Sequence, residues 1–126
     1  MRLRDVEDVS KLTPAMQQYA NLKKNNESSL LFFRMGDFYE LFFDDAIITA
    51  KELNITLTKR GKILDKSIPM CGIPFHAVNN YVPKLVKKGF EIAICEQTSS
   101  PEEMSLKGIK GPLTREVTRI ITPGTL

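Results

Sequence analysis

The amino-acid sequence predicts a single α/β domain in which a mixed β-sheet is flanked by helices. The chain has 126 residues, enough for one hydrophobic core, and its content of 42% hydrophobic and 26% charged residues is typical of globular proteins. The predicted elements follow the order helix, hairpin, helix, strand, helix, strand, loop, strand, and such alternation favours a mixed sheet. We therefore expect one domain over residues 1–126, with a loosely held tail at 1–12 and the start of a linker at 122–126.

The first predicted helix begins after Thr13. Thr13 is a preferred N-cap residue, and Pro14 suits the first helical position, where no backbone N–H is needed. Met16, Tyr19 and Ala20 recur at helical spacing, so we expect them on one face of this helix.

The segment Phe32–Phe43 contains five of the seven phenylalanines of the chain. Gly36 and Asp37 interrupt two apolar runs within it, which is typical of a two-residue hairpin turn whose glycine supplies a positive φ. The sequence therefore predicts a strand over Leu30–Arg34, a tight turn, and a second strand over Phe38–Phe43.

Side chains alternate between the two faces of an extended strand. One face of the second strand then carries Phe38, Glu40 and Phe42, and the other carries Tyr39, Leu41 and Phe43. Because an unpaired buried carboxylate is costly, the tip of the Glu40 face is expected to point at solvent or at a partner. We expect the hairpin to be anchored in the core by Phe32, Phe33, Leu41 and Phe43.

A second helix is predicted to follow the hairpin and to end at Asn54. Either Asp44 or Asp45 can cap it. Its apolar residues recur at three-residue intervals, at Ile47, Ala50 and Leu53. The β-branched segment Ile55–Thr58 is predicted to be a short strand.

Three cations surround a glycine in Lys59-Arg60-Gly61-Lys62. This pattern is compatible with a loop that contacts phosphates, but taken alone it is more typical of a solvated turn. It is not a P-loop, because the upstream glycine and the Ser or Thr after the lysine are missing.

The second half of the chain is predicted to contain a surface loop, a helix and two strands. The two prolines and the glycine of Ile68–Pro74 favour an ordered apolar loop, and Asn79 or Asn80 then begins a helix that ends at Gly89. Pro83 is tolerated only in the first turn of that helix. The remaining predictions are a half-buried strand over Phe90–Gln97, a long loop over Thr98–Leu113 with at most one helical turn at Pro101–Met104, and a last strand over Thr114–Ile121.

Cysteine, charge and hydropathy exclude several classes of protein. Cys71, Cys95 and the single His76 cannot supply a closed zinc ligand set, so we expect free, reduced thiols. No apolar run approaches the about 20 residues of a membrane span, and the N-terminus lacks a signal-peptide core, so we expect a cytoplasmic protein without membrane contact. The net charge of +3 permits nucleic-acid contact only through local placement of cations.

A metal-dependent, nuclease-like enzyme is one functional alternative. Asp37, Glu40, Asp44 and Asp45 form an acidic cluster that could bind a divalent ion. A neighbouring strand with a carboxylate and a lysine one residue apart is missing, and no nucleophile–base pair stands out. We therefore expect no enzymatic activity from this chain alone.

An exposed Phe38 favours a different use, as a wedge in DNA. Proteins that bend DNA insert apolar side chains between base steps from the minor groove, and a mispaired step is easier to unstack. Glu40 on the same face would lie against a base edge. Its carboxylate disfavours binding to duplex DNA unless a displaced base donates a hydrogen bond to it. Two alternatives remain from the residues alone: Phe38 caps a hydrophobic cluster with Phe32 and Phe42, or the chain is a structural connector domain.

Several motifs resemble one protein family. The run Arg34-Met35-Gly36-Asp37-Phe38-Tyr39-Glu40-Leu41-Phe42 closely resembles the signature near the start of bacterial MutS mismatch-repair proteins. Further motifs of that family follow in the same order: Leu57-Thr58-Lys59-Arg60-Gly61, Ile68-Pro69-Met70, Gly72-Ile73-Pro74, His76-Ala77-Val78, Ala93-Ile94-Cys95-Glu96-Gln97 and Thr122-Pro123-Gly124-Thr125. The likeness covers about residues 13–126, and the sequence departs from it at Cys71, at Pro83 and in the loop Ser99–Lys107.

In that family this region is the N-terminal mismatch-recognition domain, an α/β domain built on a mixed sheet. The resemblance implies that Phe38 stacks at a mismatch from the minor groove and that Glu40 hydrogen-bonds the mispaired base. The residues that it implies as supporting or backbone-contacting are Met35, Gly36, Asp37, Lys59 and Arg60.

The resemblance also implies partners for a full-length protein. Such proteins are homodimers that encircle double-stranded DNA with mismatches or small unpaired loops, act with a MutL-type partner and carry a C-terminal ATPase. ATP and Mg²⁺ are therefore expected for the full-length protein, and no cofactor or metal for this chain.

Overall fold

The computed structural model describes residues 3, 6, 9–63 and 66–125. Predictions for the other tail positions and for the last residue of the linker lie outside these residues. The helices are α1 (Pro14–Lys24), α2 (Phe43–Leu53), α3 (Val78–Lys87) and α4 (Pro101–Leu106). The strands are β1 (Ser29–Met35), β2 (Phe38–Phe42), β3 (Thr58–Ile63), β4 (Lys66–Pro74), β5 (Glu91–Gln97) and β6 (Arg115–Ile121).

The described strands form one sheet in the order β3-β4-β2-β1-β5-β6. β1 and β5 run parallel, and every other neighbouring pair runs antiparallel. The predicted α/β class with a mixed sheet and flanking helices is therefore confirmed. The β1–β2 hairpin lies at the centre of the sheet.

Both faces of the sheet are covered by helices. On one face, Phe32 and Leu41 pack with α2 and α3. On the other face, Phe33 and Phe42 pack with α1, where the ring of Tyr19 meets that of Phe42 edge-on at 5.0 Å between centroids. Because both faces are covered, all four residues of β5 from Ile92 to Cys95 are buried, and the predicted half-buried pattern of this strand is wrong.

The predicted start and buried face of α1 are confirmed. Thr13 Oγ1 accepts a hydrogen bond from Met16 N at 3.3 Å, and Pro14 occupies the first helical position. Met16, Tyr19 and Ala20 are buried, as their spacing predicted.

The predicted start of α2 is wrong. This helix begins at Phe43 and has no side-chain cap, because Asp45 points inward and bonds to β1 instead. Phe43 has a φ of 56°, which ends β2 at Phe42 and places both rings in the cluster beside α1. Ile47 is consequently 42% exposed rather than buried, whereas the predicted end at Asn54 is confirmed by its left-handed backbone.

Two predictions between α2 and α3 are also wrong. The strand does not span Ile55–Thr58 but begins at Thr58 and includes the basic group, and Ile68–Pro74 belongs to β4 rather than to a surface loop. The prolines are tolerated because Pro69 lies opposite Lys59, where the β3–β4 register shifts, and Pro74 is the last residue of its strand.

The helix α3 begins two residues before the predicted Asn80. A 3₁₀ turn over Phe75–Ala77 leads directly into Val78, so Pro83 lies inside the helix rather than in its first turn. The proline ring fixes a φ that suits a helix, and the missing N–H costs one hydrogen bond near the helix start. The predicted end is confirmed, since Gly89 has a φ of 94°.

The predicted loop before β6 is confirmed, but its helix is longer than the single turn predicted over Pro101–Met104. The helix α4 continues to Leu106, and Ser100 Oγ caps its start by accepting a hydrogen bond from Glu103 N at 3.1 Å. Cys71 and Cys95 are free and buried, and burial raises the pKa of their thiols to about 12 and about 11. Both thiols therefore stay protonated at neutral pH.

A buried ion pair joins α1, β1 and α2. Asp45 Oδ2 lies 2.9 Å from Lys23 Nζ and accepts a hydrogen bond from Leu31 N at 3.0 Å. The two side chains are only 7% and 15% exposed, respectively. Burial raises the pKa of Asp45, and Lys23 opposes that shift.

Replacement of Lys23 by Met is expected to lower the free energy of unfolding at neutral pH by about 3–5 kcal/mol, because Asp45 is left as an unpaired buried charge. With Lys23 absent, burial raises the pKa of Asp45 further in the folded state. A carboxyl group with a raised pKa in the folded state stabilises the protein at low pH and loses that contribution as pH rises, so the stability deficit of the variant shrinks as pH falls. Urea unfolding followed by circular dichroism measures both effects.

The matched control adds Asp45→Asn to Lys23→Met. The amide oxygen can still accept from Leu31 N but carries no charge, so the double variant should recover part of the lost stability and show little pH dependence. An equal deficit for the single and double variants at every pH would contradict this account.

Candidate functional site

The turn between β1 and β2 projects from the centre of the sheet. Met35 pairs with Phe38 across it, which leaves Gly36 and Asp37 as the two turn residues. Gly36 has a φ of 61°, and a glycine with positive φ at the first turn position is typical of a type II′ hairpin. The Asp37 carbonyl accepts a hydrogen bond from Phe75 N at 2.8 Å, which ties the turn to the end of β4.

Phe38 is exposed at the tip of this hairpin. Its residue surface is 45% exposed, and it belongs to neither hydrophobic cluster of the described residues. On the neighbouring strand, Gly72 lies beneath the ring, where a Cβ would be 3.7 Å from Phe38 Cδ1. The alternative in which Phe38 caps a cluster with Phe32 and Phe42 is therefore wrong, since those two rings are buried on opposite faces of the sheet.

Glu40 lies on the same face as Phe38 and forms an ion pair. Its Oε1 is 2.7 Å from Arg60 Nη1, and the Glu40 side chain is only 14% exposed. Glu40 faces Gly72 across the β2–β4 ladder, so no side chain of that strand covers it. Phe38 and Glu40 line an open groove together with Thr56 and Thr58.

The two predicted basic residues lie on opposite faces of β3. Thr58 is opposite Met70, which shares the face of Glu40, so Lys59 points to the other face. The β3–β4 register then shifts, and Arg60 returns to the face of Glu40. The structure thus brings together Phe38, Glu40 and Arg60 and leaves Lys59 apart from them.

A polar network supports the turn from the opposite face. Arg34 Nε donates to the Gly36 carbonyl at 2.5 Å, and Arg34 Nη1 contacts Glu96 Oε1 at 3.0 Å. The Arg34 guanidinium also lies 4.3 Å from the centroid of the Phe75 ring. Glu96 further accepts a hydrogen bond from Tyr39, and burial together with Glu96 raises the pKa of that phenol to about 12.

Arg115 was likewise not predicted as a supporting residue. Its Nε donates to the Arg34 carbonyl at 2.7 Å, and its guanidinium lies 4.6 Å from the centroid of Phe33. Burial lowers its pKa. Arg34 and Glu96 belong to the family motifs described above, so the motifs could have indicated that both residues have a role. Arg115 lies outside every one of these motifs.

The acidic cluster proposed for a metal is not assembled. Asp45 is buried against Lys23, and Glu40 contacts Arg60. Across the described ranges, no group of three or more His, Cys, Asp or Glu side chains is placed to hold a metal ion. None of the helices in the described part of the chain is long and apolar enough to cross a membrane.

Comparison with known proteins gives one family and a close relative. The model of the family described as MutS domain I matches residues 13–126. The chain is 54% identical over 116 residues to the DNA mismatch repair protein MutS of Bartonella quintana (strain Toulouse), which covers 92% of this chain. The match spans only 13% of the length of that relative.

Replacement of Gly36 by Ala should destabilise the hairpin, because an L-residue is strained at a φ of 61°. The free energy of unfolding is expected to fall by about 1 kcal/mol or more. Urea unfolding of the variant measures this loss.

Gly72→Ala is the matched control. Gly72 has no positive φ, and its added Cβ would meet Phe38 only at an ordinary contact distance of 3.7 Å. Its effect should stay within about 0.5 kcal/mol. Equal losses for the two variants would show that the turn conformation is not the cause.

Proposed function

The chain belongs to the MutS domain I family, and on this premise we propose that it recognises mismatches and small unpaired loops in double-stranded DNA through Phe38 and Glu40. The observation that carries the proposal is that Phe38 is 45% exposed on a tip whose surroundings are fixed by hydrogen bonds. An exposed phenylalanine on a rigid hairpin suits insertion between base pairs, because the hydrogen-bonded turn loses little backbone freedom on binding.

Phe38 acts as the wedge in this proposal. Insertion from the minor groove unstacks a base step at a cost of a few kcal/mol, and this cost is smallest where pairing is already weakened. The wedge therefore responds to the strength of pairing and to the deformability of the duplex rather than to its sequence.

Glu40 supplies the discrimination. Its carboxylate is repelled by the phosphates of any duplex, and only a displaced base that donates a hydrogen bond offsets this repulsion. Because Glu40 follows Phe38 by two residues on the same face, both side chains reach one step of the duplex.

The remaining predicted residues position the DNA in this proposal. Lys59 and Arg60 contact backbone phosphates, and such contacts hold the register without reading sequence. Met35, Gly36 and Asp37 form the turn that presents Phe38 at the tip of the hairpin.

We place the chemistry of the full-length protein outside this chain. Since the chain spans 13% of its MutS relative, ATP and Mg²⁺ binding, homodimer formation and contact with a MutL-type partner belong to the rest of a longer protein. This domain then binds DNA and catalyses no reaction. No observation on the described residues favours the nuclease-like alternative, and the exposure of Phe38 disfavours a purely structural connector.

Replacement of Phe38 by Ala in the full-length protein is expected to abolish most of the preference for a duplex with a G·T pair or an unpaired T over a matched duplex. Loss of base–aromatic stacking of about 1–3 kcal/mol corresponds to about 5- to 150-fold in the ratio of dissociation constants. Fluorescence anisotropy with labelled duplexes measures this ratio.

Phe75→Ala is the control, because Phe75 is also an exposed phenylalanine, at 40%, but does not lie at the hairpin tip. The control should keep the larger part of the preference. If Phe38→Ala leaves the preference intact, the proposed wedge role of Phe38 is wrong. Phe75→Ala keeps the N–H that binds Asp37 and removes a ring that contacts Arg34, so an equal loss in both variants would show that the preference does not depend specifically on Phe38.

A further inference from the structure

Glu40 and Arg60 form an ion pair on the face of the sheet that carries Phe38. Arg60 Nη1 lies 2.7 Å from Glu40 Oε1, a distance typical of a strong charge-assisted hydrogen bond. The Arg60 side chain is 42% exposed and comes from the edge strand β3, whereas the Glu40 side chain is only 14% exposed. Arg60 is therefore the more exposed partner of this pair.

Only one of the two carboxylate oxygens takes part in this pair. Among the described residues, Glu40 Oε1 binds Arg60, and no hydrogen bond to Oε2 is formed. A carboxylate can accept hydrogen bonds on both oxygens, so Oε2 remains available to a donor from outside the domain. The guanidinium likewise uses one of its five N–H groups and keeps others for a phosphate.

We propose that Arg60 is a positioning residue for Glu40: the ion pair holds the carboxylate through Oε1 and leaves Oε2 as the acceptor for a base. This inference rests on the proposed function and adds a residue to its discrimination step. A free glutamate side chain loses rotamer freedom when it binds a base, and a carboxylate already held by Arg60 loses less. Arg60 therefore raises the difference in affinity between mismatched and matched duplex, beyond any contact with phosphate.

The neighbouring strands contribute no competing side chain at this point. Gly72 faces Glu40 from β4, and Phe33 faces it from β1. Arg115, which lies on the ring of Phe33, is influenced electrostatically by both Glu40 and Arg60 but forms its hydrogen bonds elsewhere. Arg60 is thus the cation that directly restrains Glu40.

The test is a double-mutant cycle of Glu40→Gln and Arg60→Gln in the full-length protein. The measured quantity is the ratio of dissociation constants for matched and G·T-containing duplex, obtained by fluorescence anisotropy. Arg60→Gln alone should lower this ratio by about two- to fivefold, as expected for a partly exposed ion pair. In the Glu40→Gln background, Arg60→Gln should leave the ratio unchanged, because the carboxylate that it positions is gone.

Lys59→Gln is the matched control. Lys59 is the adjacent residue, carries the same charge and points to the opposite face of β3. Both single variants should weaken binding to both duplexes. The slope of the logarithm of the binding constant against the logarithm of the salt concentration should become shallower by about 0.9 for each phosphate contact that is lost. Only Arg60→Gln should also lower the ratio.

Three results would overturn the inference. The first is an unchanged ratio in Arg60→Gln, which would leave Arg60 as a phosphate contact alone. The second is an equal fall in Lys59→Gln, which would make net charge the cause. The third is an equal effect of Arg60→Gln with and without Glu40, which would make the two residues independent. Failure of the proposed function is recognised separately, by an unchanged ratio in Phe38→Ala.

Discussion

The register of the β1–β2 hairpin is the constraint on which the rest of the structure depends. The two-residue turn pairs Met35 with Phe38, and the period of two along β2 then assigns every following side chain to a face. Tyr39 and Leu41 enter one hydrophobic cluster, while Phe38 and Glu40 remain on the other face beyond the cover of α1. A shift by one residue would bury Glu40 and expose Leu41, so the same turn that shapes the core also presents the candidate site.

The hairpin is held from several directions. Its strands are the two central strands of the sheet, and the turn itself receives hydrogen bonds from Phe75 N and from Arg34 Nε. Glu96 and Arg115 extend these contacts to β5 and β6. Rigid support of this kind matters for the proposed insertion of Phe38, because a side chain on a hairpin that moves away from the DNA cannot unstack a base step. The exposed tip therefore depends on the partly buried side chains of Arg34, Glu96 and Arg115 behind it.

The predictions from the sequence were correct where neighbouring residues determine the structure. The cap of α1 and the hairpin turn followed from neighbouring residues, and the predicted sheet class was correct. The residues alone left open whether Phe38 is exposed or caps a hydrophobic cluster, because that depends on which face of the sheet each distant ring occupies. The errors arose where distant partners decide: Asp45 left its capping position because Lys23 and Leu31 N bind it, and Ile68–Pro74 joined the sheet because flanking strands accommodate its prolines. The contact between Glu40 and Arg60 joins residues 20 positions apart, and no periodicity connects them.

The position of β3 at the edge of the sheet has a consequence for self-association. An edge strand exposes unpaired backbone groups that can recruit a strand from another molecule, and proteins counter this with charge and irregular backbone. β3 carries both: Lys59 and Arg60 are exposed on it, and Gly61, with a φ of 63°, lies where the register with β4 shifts. The cations that we propose to contact DNA thus also disfavour edge-to-edge pairing of two copies, and apolar substitutions at these positions should favour aggregation.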